Sequence, residues 1–404
     1  MKDFIFNNGL KLIYKKSNSE LTSIAISLNA GAGRDEDILG VAHVTEHMVY
    51  KGTKSRNEKQ INKELSNIFG FQNAMTNYPY VVYYGTLLSE DLEAGIELFS
   101  DILINPSFSE DGFKEEIDVI IEELKEWDEE LEQYCEDKLF LNSMENRRIK
   151  YPIIGTEESL SLIKLNDIKV FYSKHYCANN AAITIISSLE FEEVKKIVEK
   201  HFSLWKSQEN MKNKEKYVDY KKDIFIDKKQ DINSAKVQLV FPIHELSHLE
   251  IKALRIFNQY FGEGVNSVLF DNLRTKHGLV YDVLTRVANE EYIKLYKITY
   301  STCHENVDKS INIIKELIND VDNLRNKLSK EDIKRISKSF KLKRLFGEEQ
   351  SVRLAMQLAT YETMFGEYSL YLDESSDLDK LSIDFIIDTA IKVLRNMIVE
   401  VITK

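Results

Sequence analysis

The chain has 404 residues, with 54 Lys and Arg against 66 Asp and Glu, a formal net charge of −12. A hydrophobic content of 43% supports packed cores and excludes wholesale disorder, and the negative balance argues against phosphate-backbone binding, so no nucleic-acid partner is expected. No apolar run of about 18 residues is free of charge, which excludes a membrane-spanning helix and a membrane partner with it.

The opening MKDFIFNNGLKLIYKK is charged throughout and lacks the apolar stretch of a signal peptide. Cys135, Cys177 and Cys303 are odd in number, far apart and without C-x-x-C spacing, as expected for thiols in a reducing cytoplasm. The first residues alternate as two strands, FIF and LKLIY, about a turn at Asn7-Asn8-Gly9. TSIAISLNAGAG (22–33) is β-rich. Asp35, Glu36 and Asp37 then open a helical pattern from Ile38 to about Tyr50, where acids suit the positive end of the helix dipole, and Gly52 marks its stop. A second helix is predicted over 57–69, a strand over 78–88, and a helix from Ser89 that Asn105-Pro106 breaks. Ser109 to Phe140 forms one long acidic helical pattern, 179–189 a strand, and 192–202 a helix.

The span 206–222, KSQENMKNKEKYVDYKK, has no apolar period and is the predicted linker. Beyond it the order repeats: strand (235–241), helices (248–261 and about 264–276), strand (292–302), helix (305–326). Phe385 to Ile402 reads as an amphipathic helix. The expected fold is therefore α+β, with two homologous domains, 1–205 and 223–404, each a mostly antiparallel sheet packed with helices.

The chemistry concentrates at His43-Val44-Thr45-Glu46-His47. Positions i and i+4 share a helix face, so both imidazoles can reach one ion, and Glu46 flanks them. Zinc takes neutral imidazole readily, and a neighbouring carboxylate can accept a proton from a water the metal acidifies. H-x-x-E-H is the inverted zincin signature. The third ligand a catalytic zinc needs is sought among Glu115, Glu116, Glu122, Glu123 and Glu126; Glu116 and Glu123, seven apart, share a face, and spacing does not choose between them.

Three segments resemble the pitrilysin/insulysin class of zinc peptidases: GVAHVTEHMVYKGT (40–53), FQNAMTNYPYVVYY (71–84) and EEIDVIIEELKEW (115–127). The likeness is strongest to the short bacterial branch similar to mitochondrial processing peptidase, and it continues through 153–185 and FGEGVNSVLFDNLRTKHGLVYDV (261–283). The resemblance implies that His43, His47 and Glu123 bind one zinc, that Glu116 supports a ligand, and that Glu46 is the general base. It further implies that Arg274 and Tyr281 face the reacting carbonyl, where a guanidinium and a phenol can hold an oxyanion, and that Asn73 and Ala74 lie beside an edge strand that binds substrate. Glu263 and Val268 depart from the Gly and Arg of many relatives.

The implied activity is a zinc endopeptidase acting on short or unfolded peptides. The family encloses its chamber with four homologous domains; two are present here, so a homodimer is expected, or a heterodimer with a related subunit, Arg274 and Tyr281 serving the partner's zinc. The alternative is a non-catalytic partner or scaffold subunit. His244-Glu245-Leu246-Ser247-His248 also matches a zincin string, H-E-x-x-H. Pro242 precedes it, however, and Ser247 with Glu250 forms a capping box, so the helix is predicted to start at Ser247 and leave His244 outside.

Overall fold

The computed structural model describes residues 1–209, 216–217 and 220–404; residues 210–215, 218 and 219 of the predicted linker lie outside the described residues. The strands are β1 (Lys2–Ile5), β2 (Lys11–Lys16), β3 (Leu21–Leu28), β4 (Phe69–Thr76), β5 (Val81–Leu88), β6 (Ala181–Ser187), β7 (Ile224–Lys228), β8 (Ala235–Pro242), β9 (Val280–Asn289), β10 (Lys294–Thr302) and β11 (Ile398–Thr403). They form two sheets, ordered β1-β2-β6-β3-β5-β4 and β7-β11-β8-β10-β9. Leaving aside β1, which pairs antiparallel with β2, the five remaining strands of the first sheet match the five of the second. The first pair of each set (β2·β6, β7·β11) is parallel and the remaining three are antiparallel. The fold is thus α+β with two like-built sheets, and the duplication legible in the element order extends to strand direction.

The chain forms two compact units, Met1–Lys125 with Tyr151–Lys214 and Phe346–Tyr371, and Glu126–Lys150 with Glu215–Leu345 and Leu372–Lys404. These are not the contiguous spans read from the sequence, because each half lends a segment to the other's unit. In the first unit, helices α1 (Val41–Val49), α2 (Glu58–Ile68) and α3 (Leu92–Ile104) cover one sheet face. Helix α4 (Phe113–Glu129) begins there, and the predicted single helix over 109–140 breaks at extended Glu130 before α5 (Leu131–Ser143), which belongs to the second unit. There α5 packs on β8 and β11, burying Cys135, Leu139 and Phe140. Helices α6 (Glu157–Leu162), α7 (Leu165–His175) and α8 (Phe191–Phe202) complete the first half.

In the second half α9 (His248–Phe261) and α10 (Val268–Phe270) precede a π-helical turn over Asp271–Lys276. Helices α11 (Val307–Asn319), α12 (Leu324–Lys327) and α13 (Lys330–Glu348) follow, and then α14 (Ser351–Phe365). Helix α14 packs in the first unit on β3, β5 and β6, through Leu354, Ala355, Leu358 and Ala359 against Ile13, Ala25, Val82 and Ile186. Each sheet is therefore faced by a helix from the opposite half of the sequence. The chain closes with α15 (Ser369–Asp373), α16 (Ile383–Leu394) and β11, so the tail read as one helix is a helix followed by a strand. Among the described residues no helix is long and apolar enough to cross a membrane.

Burial in the second unit gives a pH prediction. Glu400 on β11 is fully buried, and its Oε2 accepts from Asn142 Nδ2 at 3.0 Å, the same amide reaching Asp227 Oδ2 at 2.7 Å. Burial, with Asp227 adding to it against the Asn142 bond, pushes the Glu400 carboxyl up to about 8. Between the ordinary carboxyl range and that value the folded chain holds a proton the unfolded chain has lost, so stability falls as pH rises through this window. Glu400→Gln, which keeps the Asn142 bond and cannot ionise, gains stability over the native chain between pH 5 and 8. The gain amounts to about 1.4 kcal/mol per pH unit at its steepest. Denaturant melts of both proteins across this range check it; a stability difference that does not change with pH refutes the assignment.

Candidate metal centre

Helix α1 starts three residues later than its sequence pattern suggests. Gly40 is left-handed (φ 89°), and Asp35 caps the helix from outside, accepting from the Gly40 N–H at 2.7 Å and the Ala42 N–H at 2.9 Å. A Cβ on Gly40 would lie 2.5 Å from the Ile154 carbonyl oxygen, so both the dihedral and the space require glycine. Val41, Val44 and Met48 anchor the helix in the core. His43 and His47 then lie one turn apart, their rings tilted by 58° with centroids 4.6 Å from each other.

Helix α4 brings the third group. Glu123 Oε1 lies 3.7 Å from His43 Nε2, and Glu123 Oε2 lies 3.6 Å from His47 Nε2. Among the described residues, His43, His47 and Glu123 form the group able to hold a metal ion, their ligand atoms all within 4.8 Å of one another. Donors around a tetrahedral zinc at about 2.0–2.1 Å stand roughly 3.3 Å apart, so two imidazoles and one carboxylate fit zinc in both chemistry and spacing. Glu116, two turns before Glu123, accepts instead from His47 Nδ1 at 2.8 Å, which leaves Nε2 facing the cluster.

Electrostatics favour a cation here. Burial, helped by the neighbouring His47, lowers His43 to about 3, so its imidazole is neutral and its lone pair available. His47 is raised: burial opposes its protonation, and the Glu116 bond with the Glu46 and Glu123 charges outweighs that. Glu116 is held down at about 2, first by the His47 bond. Burial raises Glu46, which Thr76 opposes with its hydroxyl (Oγ1 to Oε2, 2.8 Å) and its backbone N–H.

Two residues of this arrangement, Thr76 and Lys51, carry no role in the sequence reading, and Asp35, expected as an acid at the positive end of the helix, caps α1 from a distance. Thr76, at the end of β4, fixes Glu46. Lys51, one turn past His47, pairs with Glu116 Oε2 at 2.8 Å. Thr76 lies three residues past Asn73, and Lys51 continues the His43–His47 spacing by four; those offsets were the available signals.

The other predicted residues are placed as follows. Asn73 and Ala74 lie on β4, the outer strand of its sheet, and the Asn73 side chain accepts from the Ala74 N–H at 2.9 Å. In the second unit Arg274 sits in the π-helical turn, its guanidinium 5.0 Å from the Phe270 ring and 4.7 Å from the Tyr281 ring. Tyr281 is 82% exposed. Arg274 and Tyr281 thus meet as one exposed stack. His244 and His248 do not converge. Helix α9 begins at His248, behind a Ser247–Glu250 capping box. His244 stacks on Tyr217 (5.4 Å, 7° between planes), while His248 bonds to Asp373 at 2.9 Å.

Known proteins point the same way. The family profile described as insulinase (peptidase family M16) matches residues 11–157, and that of the peptidase M16 inactive domain matches residues 163–340. An uncharacterised zinc protease of Rickettsia bellii is 27% identical over 86% of this chain and 84% of its own length. The mitochondrial-processing peptidase subunit beta of Lentinula edodes is 28% identical over 49% of this chain and 43% of its own. A protease from Helicobacter pylori shares the fold, with a TM-score of 0.89 at 19% identity over 100% of this chain and 99% of that one.

Proposed function

Because the chain belongs to the insulinase family, peptidase family M16, we propose that it is a zinc-dependent endopeptidase cutting short or unfolded peptides. The observation that carries this reading is the convergence of His43, His47 and Glu123, with buried Glu46 beside them. His43 Nε2, His47 Nε2 and Glu123 would hold the ion. When bound, zinc supplies a Lewis acid that brings the pKa of water to about 7 and polarises the scissile carbonyl. Glu46 takes the proton from the attacking water, whose oxygen bonds to the carbonyl carbon, and passes it to the amine nitrogen as the C–N bond breaks. Thr76 holds the Glu46 carboxylate in position for both transfers. Asn73 and Ala74, on an edge strand, receive the peptide by main-chain pairing. Arg274 and Tyr281 hold the carbonyl oxygen as charge develops on it. Their pairing in one stack supports their acting together.

We further propose that the working enzyme is a dimer. One relative is by name a subunit, and two like-built units per chain suit a homodimer in which Arg274 and Tyr281 serve the partner's centre. The inactive-domain match favours a second reading, a non-catalytic subunit, but it falls on 163–340, and His43, Glu46, His47, Glu116 and Glu123 all lie outside it. Less than one zinc for every two chains in freshly purified protein would support that second reading.

The test is a peptide-library digest read by intact mass, with and without chelator. Internal cleavage that stops with chelator and returns with zinc is expected. A zinc-loaded protein that cuts nothing contradicts the proposal.

A further inference from the structure

We propose that Lys51 is a positioning residue for the metal ligand His47, acting through Glu116; this rests on the zinc reading above. Lys51 follows α1, and its ammonium lies 2.8 Å from both Glu116 Oε2 and Glu58 Oε1. Its stem runs under the start of α4, where a Cβ on left-handed Gly112 would stand 3.7 Å from Lys51 Cε. The side chain is one-fifth exposed, and Glu116 is 13% exposed.

A glutamate rotates broadly about its last torsion. With Oε1 on His47 Nδ1 and Oε2 on Lys51, the Glu116 carboxylate is pinned at both oxygens. That fixes the His47 tautomer with Nδ1 protonated and aims Nε2 at the cluster. Charge agrees in sign: Lys51 sets its ammonium against Glu116 and the more exposed Glu58, beside buried Glu46 and partly exposed Glu123. Without Lys51 the Glu116 carboxylate loses the cation on Oε2 and is held at one oxygen only, by His47, so it is free to turn toward the metal.

The test is zinc affinity of the metal-stripped full chain, by competition with a chromophoric chelator, after thermal unfolding shows each variant folded. Lys51→Met is expected to weaken zinc binding by about tenfold, Lys51→Arg to restore it to within about threefold, and Lys51→Met to change it less than about twofold in a Glu116→Gln background. Lys51→Gln, which keeps length and a donor without the charge, replaces Lys51→Met if the latter does not fold. Native affinity in the Met or Gln variant, or an equal loss with and without Glu116, overturns the inference. Failure of the native chain to bind zinc overturns instead the reading it rests on.

Discussion

Glu46→Gln is expected to keep one zinc per chain and to lower peptide turnover by about 10²–10⁴-fold. The amide matches the carboxylate in shape, and its oxygen can still accept from the Thr76 hydroxyl that now bonds Glu46 Oε2 at 2.8 Å. None of His43, His47 or Glu123 is altered, so the metal stays. The lost property is proton acceptance alone. Burial already raises the Glu46 carboxyl, which makes it a stronger base than an exposed glutamate while the Thr76 bonds keep the anion accessible. Zinc content by mass spectrometry and initial rates on a quenched peptide read the two halves of the prediction. Turnover at the native rate removes Glu46 from the mechanism.

Mixing defective chains gives the second large effect. Glu46→Gln and Arg274→Ala proteins are each expected to be nearly inactive, and co-expression of the two to restore activity. A mixed dimer holds one complete site, built from the Arg274→Ala chain's Glu46 and the other chain's Arg274. Random pairing of two isologous subunits makes half the dimers mixed, each with one working centre, so activity recovers to about a quarter of the native level. Arg274 suits a role toward a partner because it is presented on the surface, stacked between Phe270 and the largely exposed Tyr281, with its guanidinium preorganised by two rings. A co-expressed mixture no more active than either variant alone excludes action between subunits.

How far the sequence reached follows from the range of each interaction. His43 and His47 were legible because one helical turn is local and its geometry fixed. Glu123 was not legible from spacing: Glu116 and Glu123 share a face of α4, and only the fold decides that the later one faces both imidazoles while the earlier one bonds His47 Nδ1. The resemblance to the peptidase family supplied that choice. The break at Glu130 left no trace, since neither Gly nor Pro is present and the apolar positions continue through Leu124, Trp127, Leu131 and Cys135 while the helix passes from one unit to the other. Strand β4 falls, apart from Phe69, in the gap between the predicted helix over 57–69 and the predicted strand over 78–88, because on this edge strand the apolar Phe71 and Met75 lie on the exposed side and blur the alternation. Glu400 looked like the charged face of a terminal helix and is instead a buried carboxyl on the strand beside β8, where pairing with a neighbouring strand overrode the local pattern.

The central claim is that two imidazoles of α1 and one carboxylate of α4 hold a single zinc. Anomalous diffraction at the zinc edge from crystals of the zinc-loaded protein tests it most directly. One peak per chain is predicted, about 2.0–2.2 Å from His43 Nε2, His47 Nε2 and a Glu123 oxygen, with Glu116 remaining on His47. A peak at His244 or His248, or no peak between α1 and α4, would contradict it.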